Sequence, residues 1–599
     1  MRWLCWIICV VELAVCRMSA LAVDPDVQRV IPADTLLVIE VDRPLRTLET
    51  DYRRDLQAIL LQSQSIRQMV DSPLGERWRA AAKFLETSLD CDWPTAIGKL
   101  SAGGLVIAVQ GSPAGTEPDV TVIVTADEPQ TLQRFLEALH QELQRKGSDS
   151  KSSAEENSPE DSKSQSIGLI PVARPYRNHP CYQVGQGHYA VVEHRLLAAN
   201  RRAALEAAID RLTDTAAPPA WTPPAALWRS GPQTLQPLLQ VTLNLELFRR
   251  APGVAESLRL PSRDVAAVVM FGGYLDLLRR ADYAQAALFV DDGGIEARIA
   301  LPAGADGVHP GLEGFFATSP ESSAAPLLTP PRTLFTASWY RDYRRLWRGR
   351  EQLWEPAVVR QIEAASDQQR QQPVGMSFGD WAELFGPHLR IVLARQEQAV
   401  YRQTPDERLP AAAAVLELHD ERRFREQVFP PVDRLVRGIM QAIRGEVRVV
   451  ERRGARFTAI RFAEPPAQVP AKEQGLYHFE PAYGIAQGHL LVCTSSELIG
   501  ETIDELERLK SNEPSQLPDA PRVTESLWLS GAELQALLHG YRISLLANAP
   551  RPPEQSAQDA ELEFDLALRL LSKMGDYSQQ TTINRDRFEM VFRLGTRLP

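Results

Sequence analysis

At 599 residues the chain is too long for one hydrophobic core, so several domains are expected. Its 44% hydrophobic and 24% charged residues are ordinary for a globular protein and exclude general disorder. A formal charge of −11 argues against general nucleic-acid binding, which needs a basic face to displace counterions.

The chain opens MRWLCWIICVVELAVCRMSALAVD. Arg2 supplies a short positive region, Leu4 to Cys16 a mostly apolar run blemished by Glu12, and Ala20-Leu21-Ala22 an A-x-A cleavage site. That order predicts a secretory signal over 1–22, because a bilayer span takes about 20 apolar residues. A retained N-terminal anchor is the second reading; a lipoprotein site at Cys16 is disfavoured by bulky Val15. No transmembrane helix is expected after signal removal; Val265–Leu278 comes nearest, but it is short and carries Asp276. Cleavage removes Cys5, Cys9 and Cys16, together with Arg2, Glu12 and Arg17, leaving a charge of −12. Cys91, Cys181 and Cys493 remain, too widely spaced for a disulfide framework or a C-x-x-C metal site. A Cys91–Cys181 bridge and buried free thiols both stay open.

Strand-like runs, apolar and β-branched, follow at LLVIEV, GLVIAV and VTVIVT, and helical periodicity at TLQRFLEALHQEL and ALEAAIDRL. Asp92 is placed to cap a short helix with Pro94 in its first turn and Gly98 at its end. FVDDGGIEARIAL reads as a hairpin turning at Asp291–Gly294, and INRDRFEMVFRL as its twin. GSDSKSSAEENSPEDSKSQS at 147–166 reads as a disordered insertion.

These features recur. Pro32–Leu36 matches Pro330–Leu334, Asp51-Tyr52-Arg53-Arg54 matches Asp342-Tyr343-Arg344-Arg345, and Asp92-Trp93 with Gly98 matches Asp380-Trp381 with Gly386. Asp127-Glu128 aligns with Asp420-Glu421, YAVVEHRLLAAN with YGIAQGHLLVCT, and Asp282-Tyr283-Ala284-Gln285 with Asp576-Tyr577-Ser578-Gln579. Six landmarks in one order, at offsets between 288 and 298, predict a tandem duplication of about 295 residues with loop insertions. The expected fold class is α+β. Each copy is a larger mixed α+β domain with a largely antiparallel sheet plus a smaller α+β domain containing a hairpin. The larger domains are expected at 23–212 and 327–510, the smaller at 220–303 and 521–599, with 304–326 as linker. Pro- and Ala-rich joints at 215–226, 319–331 and 511–521 lack the periodicity to join a core.

Apparent motifs weigh lightly. His188, Glu193 and His194 lie within seven residues, but His188 and Glu193 have opposite strand parity. In the second copy these positions are Ala482, Gln487 and Gly488, so His194 reads as a hairpin turn position where positive φ is useful, with Asn200 as a helix cap. Thr494 and Glu497 read as a capping box in the twin. The stretch RDYRRLWRGREQLW, 341–354, carries five arginines that offer an anion-binding surface. Its stripe of Tyr340, Tyr343, Trp347 and Trp354 reads instead as the packed side of an amphipathic helix. The Asp-Trp pairs read as caps beside buried indoles. GSPAG at 111–115 lacks nucleophile-elbow spacing, and Ser148-Asp149-Ser150-Lys151 falls in the insertion. Asp291-Asp292 reads as a turn, since its twin is Arg585-Asp586. No phosphate loop, GxGxxG or HExxH occurs. No catalytic, cofactor-binding or metal residue is therefore named, and no cofactor is expected.

PADTLLVIEVDRP, TVIVTADEPQTLQRFLEAL and YAVVEHRLLAANRRAALEAAIDRL together resemble exported domain-of-unknown-function proteins of planctomycete-type bacteria, over most of both copies. The resemblance implies an envelope location and no known activity. The expectation is an exported, periplasmic or extracellular, non-catalytic protein with a binding or scaffolding role toward an envelope protein or ligand. The alternative is a carboxylate-based hydrolase with its site in one copy only, since distant acid pairs leave no motif.

Overall fold

The structure, a computed structural model, describes residues 25–41, 72–111, 117–154, 172–214, 237–291, 294–317, 323–465, 470–511, 522–548 and 556–595, apart from Pro252 and Pro373, with a few single positions between 221 and 236. The signal segment, the Asp51–Arg54 landmark and most of the joints at 215–226 and 511–521 lie outside the described residues. The chain forms two compact units. Unit 1 is Met1–Ala255 with Asp282–Ala300; unit 2 is Glu256–Ala281 with Leu301–Pro599.

Unit 1 contains β1 (Thr35–Val41), β2 (Leu105–Gln110), β3 (Val120–Thr125), β4 (Val172–Tyr176), β5 (His179–Val184), β6 (Gly187–Val192), β7 (Arg195–Ala199), β8 (Leu239–Asn244), β9 (Tyr283–Asp291) and β10 (Gly294–Leu301). All its pairings are antiparallel, in the order β10-β9-β8-β1-β2-β3-β7-β6-β5-β4. Strand alternation sends Val38, Val106, Ile123 and Leu197 to one face, where α1 (Pro25–Val30) and α5 (Arg202–Thr213) cover them. The other face carries Val41, Leu105 and Ile107. Helices α2 (Pro73–Leu89), α3 (Trp93–Leu100) and α4 (Pro129–Ala154) pack on one another. His140 of α4 meets the Tyr189 hydroxyl of β6 at 2.6 Å.

Unit 2 contains β11 (Thr333–Tyr340), β12 (Phe385–Ala394), β13 (Ala411–Leu418), β14 (Glu446–Arg452), β15 (Ala455–Arg461), β16 (Ala482–Ala486), β17 (His489–Cys493), β18 (Arg522–Leu529), β19 (Asp576–Ile583) and β20 (Phe588–Gly595). Again these strands pair antiparallel, and the order is β20-β19-β18-β11-β12-β13-β17-β16-β15-β14. Strand for strand this is the order of unit 1. Small features repeat too. Thr35 and Thr333 each donate a hydroxyl bond to the carbonyl three residues back, of Pro32 (2.7 Å) and Pro330 (2.5 Å). Both strands then carry a register shift, between Thr35 and Leu37 and between Thr333 and Phe335. Helix α10 (Ser496–Ser511) covers Val392, Val415 and Leu491, while α8 (Phe378–Leu384) serves the opposite face with Leu418, Phe424 and Ile485. Helix α9 (Phe429–Ala442) lies against β14. Its Asp433 accepts a bond from the Tyr483 hydroxyl at 2.8 Å, at the place of His140 and Tyr189.

Unit 2 also holds two segments expected elsewhere. Helix α6 (Val265–Arg280) and residues 301–317 pack within it. Part of the expected linker 304–326 is thus core: Leu312, Phe315, Phe316 and Ala317 are fully buried. In the expected joint 319–331, Leu328 joins the α10 core. Gly272 and Gly273 make this possible, since a Cβ on Gly273 would lie 2.7 Å from the Phe315 Cβ. Asp276, the blemish in the apolar run, is buried at the end of α6 and bonded to Arg279 and Arg280. Among the described residues, no helix is long and apolar enough to cross a membrane.

Several local expectations shift. Asp92 does cap α3, accepting from Thr95 N at 3.2 Å, but the helix runs past Gly98 to Leu100. Asp380 is not a cap; Ser377 is, and Asp380 closes its capping box three residues in. Asn200 caps nothing. Its side chain accepts from Val120 N and donates to the Pro118 carbonyl, both at 2.9 Å, and α5 starts from Arg201. Ser495, not Thr494, caps α10, because Thr494 is taken by the Ala412 amide. Helix α4 continues through residues 147–154 of the expected disordered insertion; residues 155–166 lie outside the described ones. Cys91, Cys181 and Cys493 are all free thiols.

Candidate functional site

The structure disperses the His188 cluster. β6 and β7 form the expected hairpin, pairing Val192 with Arg195. The positive φ falls on Glu193 (+56°), not on His194, whereas the twin turn has it at both Gln487 and Gly488. Glu193 is held by Arg195 at 2.8 Å, and His188 pairs with Ala199 at the far end of the hairpin. Among the described residues, no three His, Cys, Asp or Glu side chains converge to hold a metal ion.

The arginine-rich stretch is internally neutralised. Its helix is broken: α7 (Tyr343–Arg348) ends at Gly349, before a second turn at Arg350–Leu353. Arg341 pairs with Glu525, Arg344 with Asp342, Arg345 with Glu313, Arg348 with Glu383 and Arg350 with Glu363. Tyr340 and Trp354 are buried, while Tyr343 is exposed. A surface whose cations all have carboxylate partners attracts anions weakly.

A polar set that no local motif marks lies on the α10-covered face of unit 2. On β12, alternation points Arg390, Val392 and Ala394 inward, and Arg390 is almost wholly buried. It stands opposite Val415, and Glu417 two residues on stands opposite His489. His388, two residues before Arg390, lies on the same side by the same alternation. Its Nδ1 lies 2.7 Å from Glu417 Oε2, and its Nε2 lies 2.9 Å from the Ser323 carbonyl. Gly386 makes room for that carboxylate, since a Cβ there would meet Glu417 Oε2 at 2.4 Å. Arg390 Nη2 lies 2.8 Å from His489 Nε2, and His489 Nδ1 lies 2.7 Å from the Gln487 carbonyl.

Those bonds define protonation. His489 Nδ1–H donates to the Gln487 carbonyl, which leaves Nε2 as acceptor for the guanidinium. The ring is accordingly neutral: burial first, then Arg390 beside it, pushes its pKa down to about 4. Burial also pushes Arg390 down to about 10. Burial alone would lift Glu417, but the bonds and charge of His388 outweigh it and hold the carboxyl low. Among the described residues, no carboxylate forms an ion pair with Arg390, and its Nε is buried without a hydrogen bond. Among the described residues, no serine, threonine or cysteine side chain bonds to either histidine.

Unit 1 lacks this set. In its matching ladder Thr125 faces Arg195 where unit 2 pairs Glu417 with His489, and Val106 stands at the Arg390 position. Unit 1 has instead a lone acid, Glu40, on β1 between Val106 and Gln240. Burial pushes its pKa up to about 7. The matching position in unit 2 is Ser338, opposite Arg390.

A buried guanidinium that loses its hydrogen-bond acceptor costs stability, which gives a direct test. His489→Leu alone, leaving Arg390 Nη2 without its acceptor, is expected to destabilise unit 2 by about 1–3 kcal/mol. Arg390→Met with His489→Leu is expected to be neutral or stabilising by about 1–4 kcal/mol. Hydrogen exchange across β12, β13 and β17 reads both.

The geometry defines the class as α+β with large antiparallel sheets. No family model and no curated protein matches the chain. Solved structures similar to it include crystal form III of TP0453, at 8% identity and a TM-score of 0.21, covering 47% of this chain and 80% of that one. Crystal form I gives 8% identity and a TM-score of 0.20, over 48% and 81%.

Proposed function

We propose that this chain is an exported, non-catalytic protein of the cell envelope, built by tandem duplication of one α+β unit and working as a binding or scaffolding protein. The observation that carries the reading is the pairing of sameness and difference between the units. Ten strands follow one order in both, yet His388, Arg390, Glu417 and His489 occur in unit 2 alone. A charged set that one copy folds without serves something other than the fold. The export step rests on Arg2, the apolar run to Cys16 and Ala20-Leu21-Ala22. The hydrolase reading draws on Glu40, whose raised pKa suits a general acid. It stands second, because glycosidase-type chemistry needs two acids and no described acid bonds to Glu40.

N-terminal sequencing and cross-linking in the envelope fraction test the proposal together. The expected results are a chain that begins at Val23 and a partner or ligand cross-linked through unit 2. A chain confined to the cytoplasm with its N-terminus intact, or an envelope extract that yields no partner and no ligand, overturns it.

A further inference from the structure

Helix α9 packs one side against the sheet and leaves the other bare. Leu435, Ile439 and Ile443 follow one another at i, i+4, i+8 and are 56%, 53% and 52% exposed. Val449 of β14, the edge strand beside the helix, adds a fourth aliphatic side chain at 61%. Arg434, Arg437 and Arg444 are exposed around the stripe. Of the eight arginines in 429–461, six pair with carboxylates; among the described residues Arg434 and Arg444 form no ion pair. An aliphatic row thus coincides with two arginines that have no carboxylate partner.

The fold does not require that row. His140 in α4 and Asp433 in α9 hold the same tyrosine-bonded position. Two, six and ten residues further on, α4 has Glu142, Lys146 and Ser150 where α9 has Leu435, Ile439 and Ile443. In sequence the first helix is polar at these positions, and the second is apolar.

We propose that α9 and the adjoining edge of β14 form a docking surface for an anionic lipid bilayer, on which the helix lies in the plane of the interface. This deepens the envelope reading above and rests on it for the location. Leu435, Ile439, Ile443 and Val449 enter the headgroup boundary while the arginines meet anionic headgroups. Protein-binding surfaces concentrate their energy in tryptophan, tyrosine and arginine. Here the apolar residues are purely aliphatic, which suits acyl chains.

The test uses the full chain with phosphatidylglycerol vesicles, phosphatidylcholine vesicles and no vesicles. Hydrogen exchange over 434–449 gives a local readout that the apolar N-terminus does not contribute to. Phosphatidylglycerol is expected to slow exchange there at least tenfold, phosphatidylcholine far less, and 1 M salt to weaken the protection. Leu435→Gln/Ile439→Gln/Ile443→Gln should abolish it with an unchanged melting temperature. Arg434→Gln/Arg444→Gln should remove the preference for the anionic lipid; Arg437 is left alone because it pairs with Asp433. Three outcomes overturn the proposal: no protection by phosphatidylglycerol, protection that survives the triple substitution, or protection that arises without vesicles through self-association or an acidic protein. None of these touches the export reading, which N-terminal sequencing decides separately.

Discussion

Phe315→Ala is expected to destabilise unit 2 by about 3–5 kcal/mol, the range for deleting a fully buried aromatic ring. Phe315 ends the 3-10 turn Pro310–Phe315 and has no exposed surface. Its ring lies under the Arg341 guanidinium at 5.0 Å and beside Phe316 at 6.5 Å. On the remaining side the backbone of α6 approaches closely, because Gly272 and Gly273 present no side chain. That arrangement leaves the cavity nothing to collapse into. Arg341 also bonds the Phe315 carbonyl at 2.9 Å while pairing with Glu525, so the truncation loosens a buried charge as well as a ring. Urea unfolding with hydrogen exchange measures it. Protection of α6 should fall together with that of β11 and β18. A loss under about 1 kcal/mol would mean that 301–317 is the loosely attached linker its Gly- and Pro-rich composition suggests.

That segment shows where sequence reading succeeded and where it failed. Hairpins were legible: β9 pairs with β10 through Asp291 and Gly294, and β6 with β7 through Val192 and Arg195, as alternation and turn residues indicate. The large antiparallel sheets were legible for the same reason. The linker expected over 304–326 is instead core at Leu312, Phe315 and Phe316, three apolar residues in five positions that follow neither helical nor strand periodicity. Caps slipped by one to three residues wherever several Ser, Thr, Asp or Asn competed, as at Ser377 and Asp380. The polar set of unit 2 had a single local signal, Arg390 at an inward position of HLRIVLA. His388 and His489 lie about a hundred residues apart, and only sheet register brings them together. Motif reading works on spacing along the chain and is blind to that.

Glu40→Gln is expected to make unit 1 more stable at pH 8, by about 3 kcal/mol, and to change little at pH 4. Burial raises the folded-state pKa of Glu40 from 4.5 to about 7. Below pH 4.5 the carboxyl is protonated in folded and unfolded chains alike, and its contribution is fully present. Between 4.5 and 7 the unfolded chain releases the proton and the folded chain does not, so stability falls as pH rises through this window. At 1.36 kcal/mol for each pH unit the total is about 3 kcal/mol, all of it lost above pH 7. Glutamine keeps the shape and removes the titration. His489 in unit 2 has the opposite sign. Its pKa falls from 6.5 to about 4, so the stability it lends is present above pH 6.5 and lost as pH falls toward 4. Acidification from 6.5 to 4.5 therefore strengthens the Glu40 contribution in unit 1 and weakens the His489 contribution in unit 2. Hydrogen exchange corrected for intrinsic rates, compared between β1–β2 and β12–β17 at several pH values, reads the two slopes separately. Equal stability of β1–β2 in the native chain and the Gln variant at pH 8 would mean that Glu40 ionises at ordinary cost. A buried acid in unit 1 and a buried cation with its histidine in unit 2 would then no longer be titrating opposites. As the charges stand, two units with one strand order respond to acid in opposite directions because of residues that the shared fold does not need.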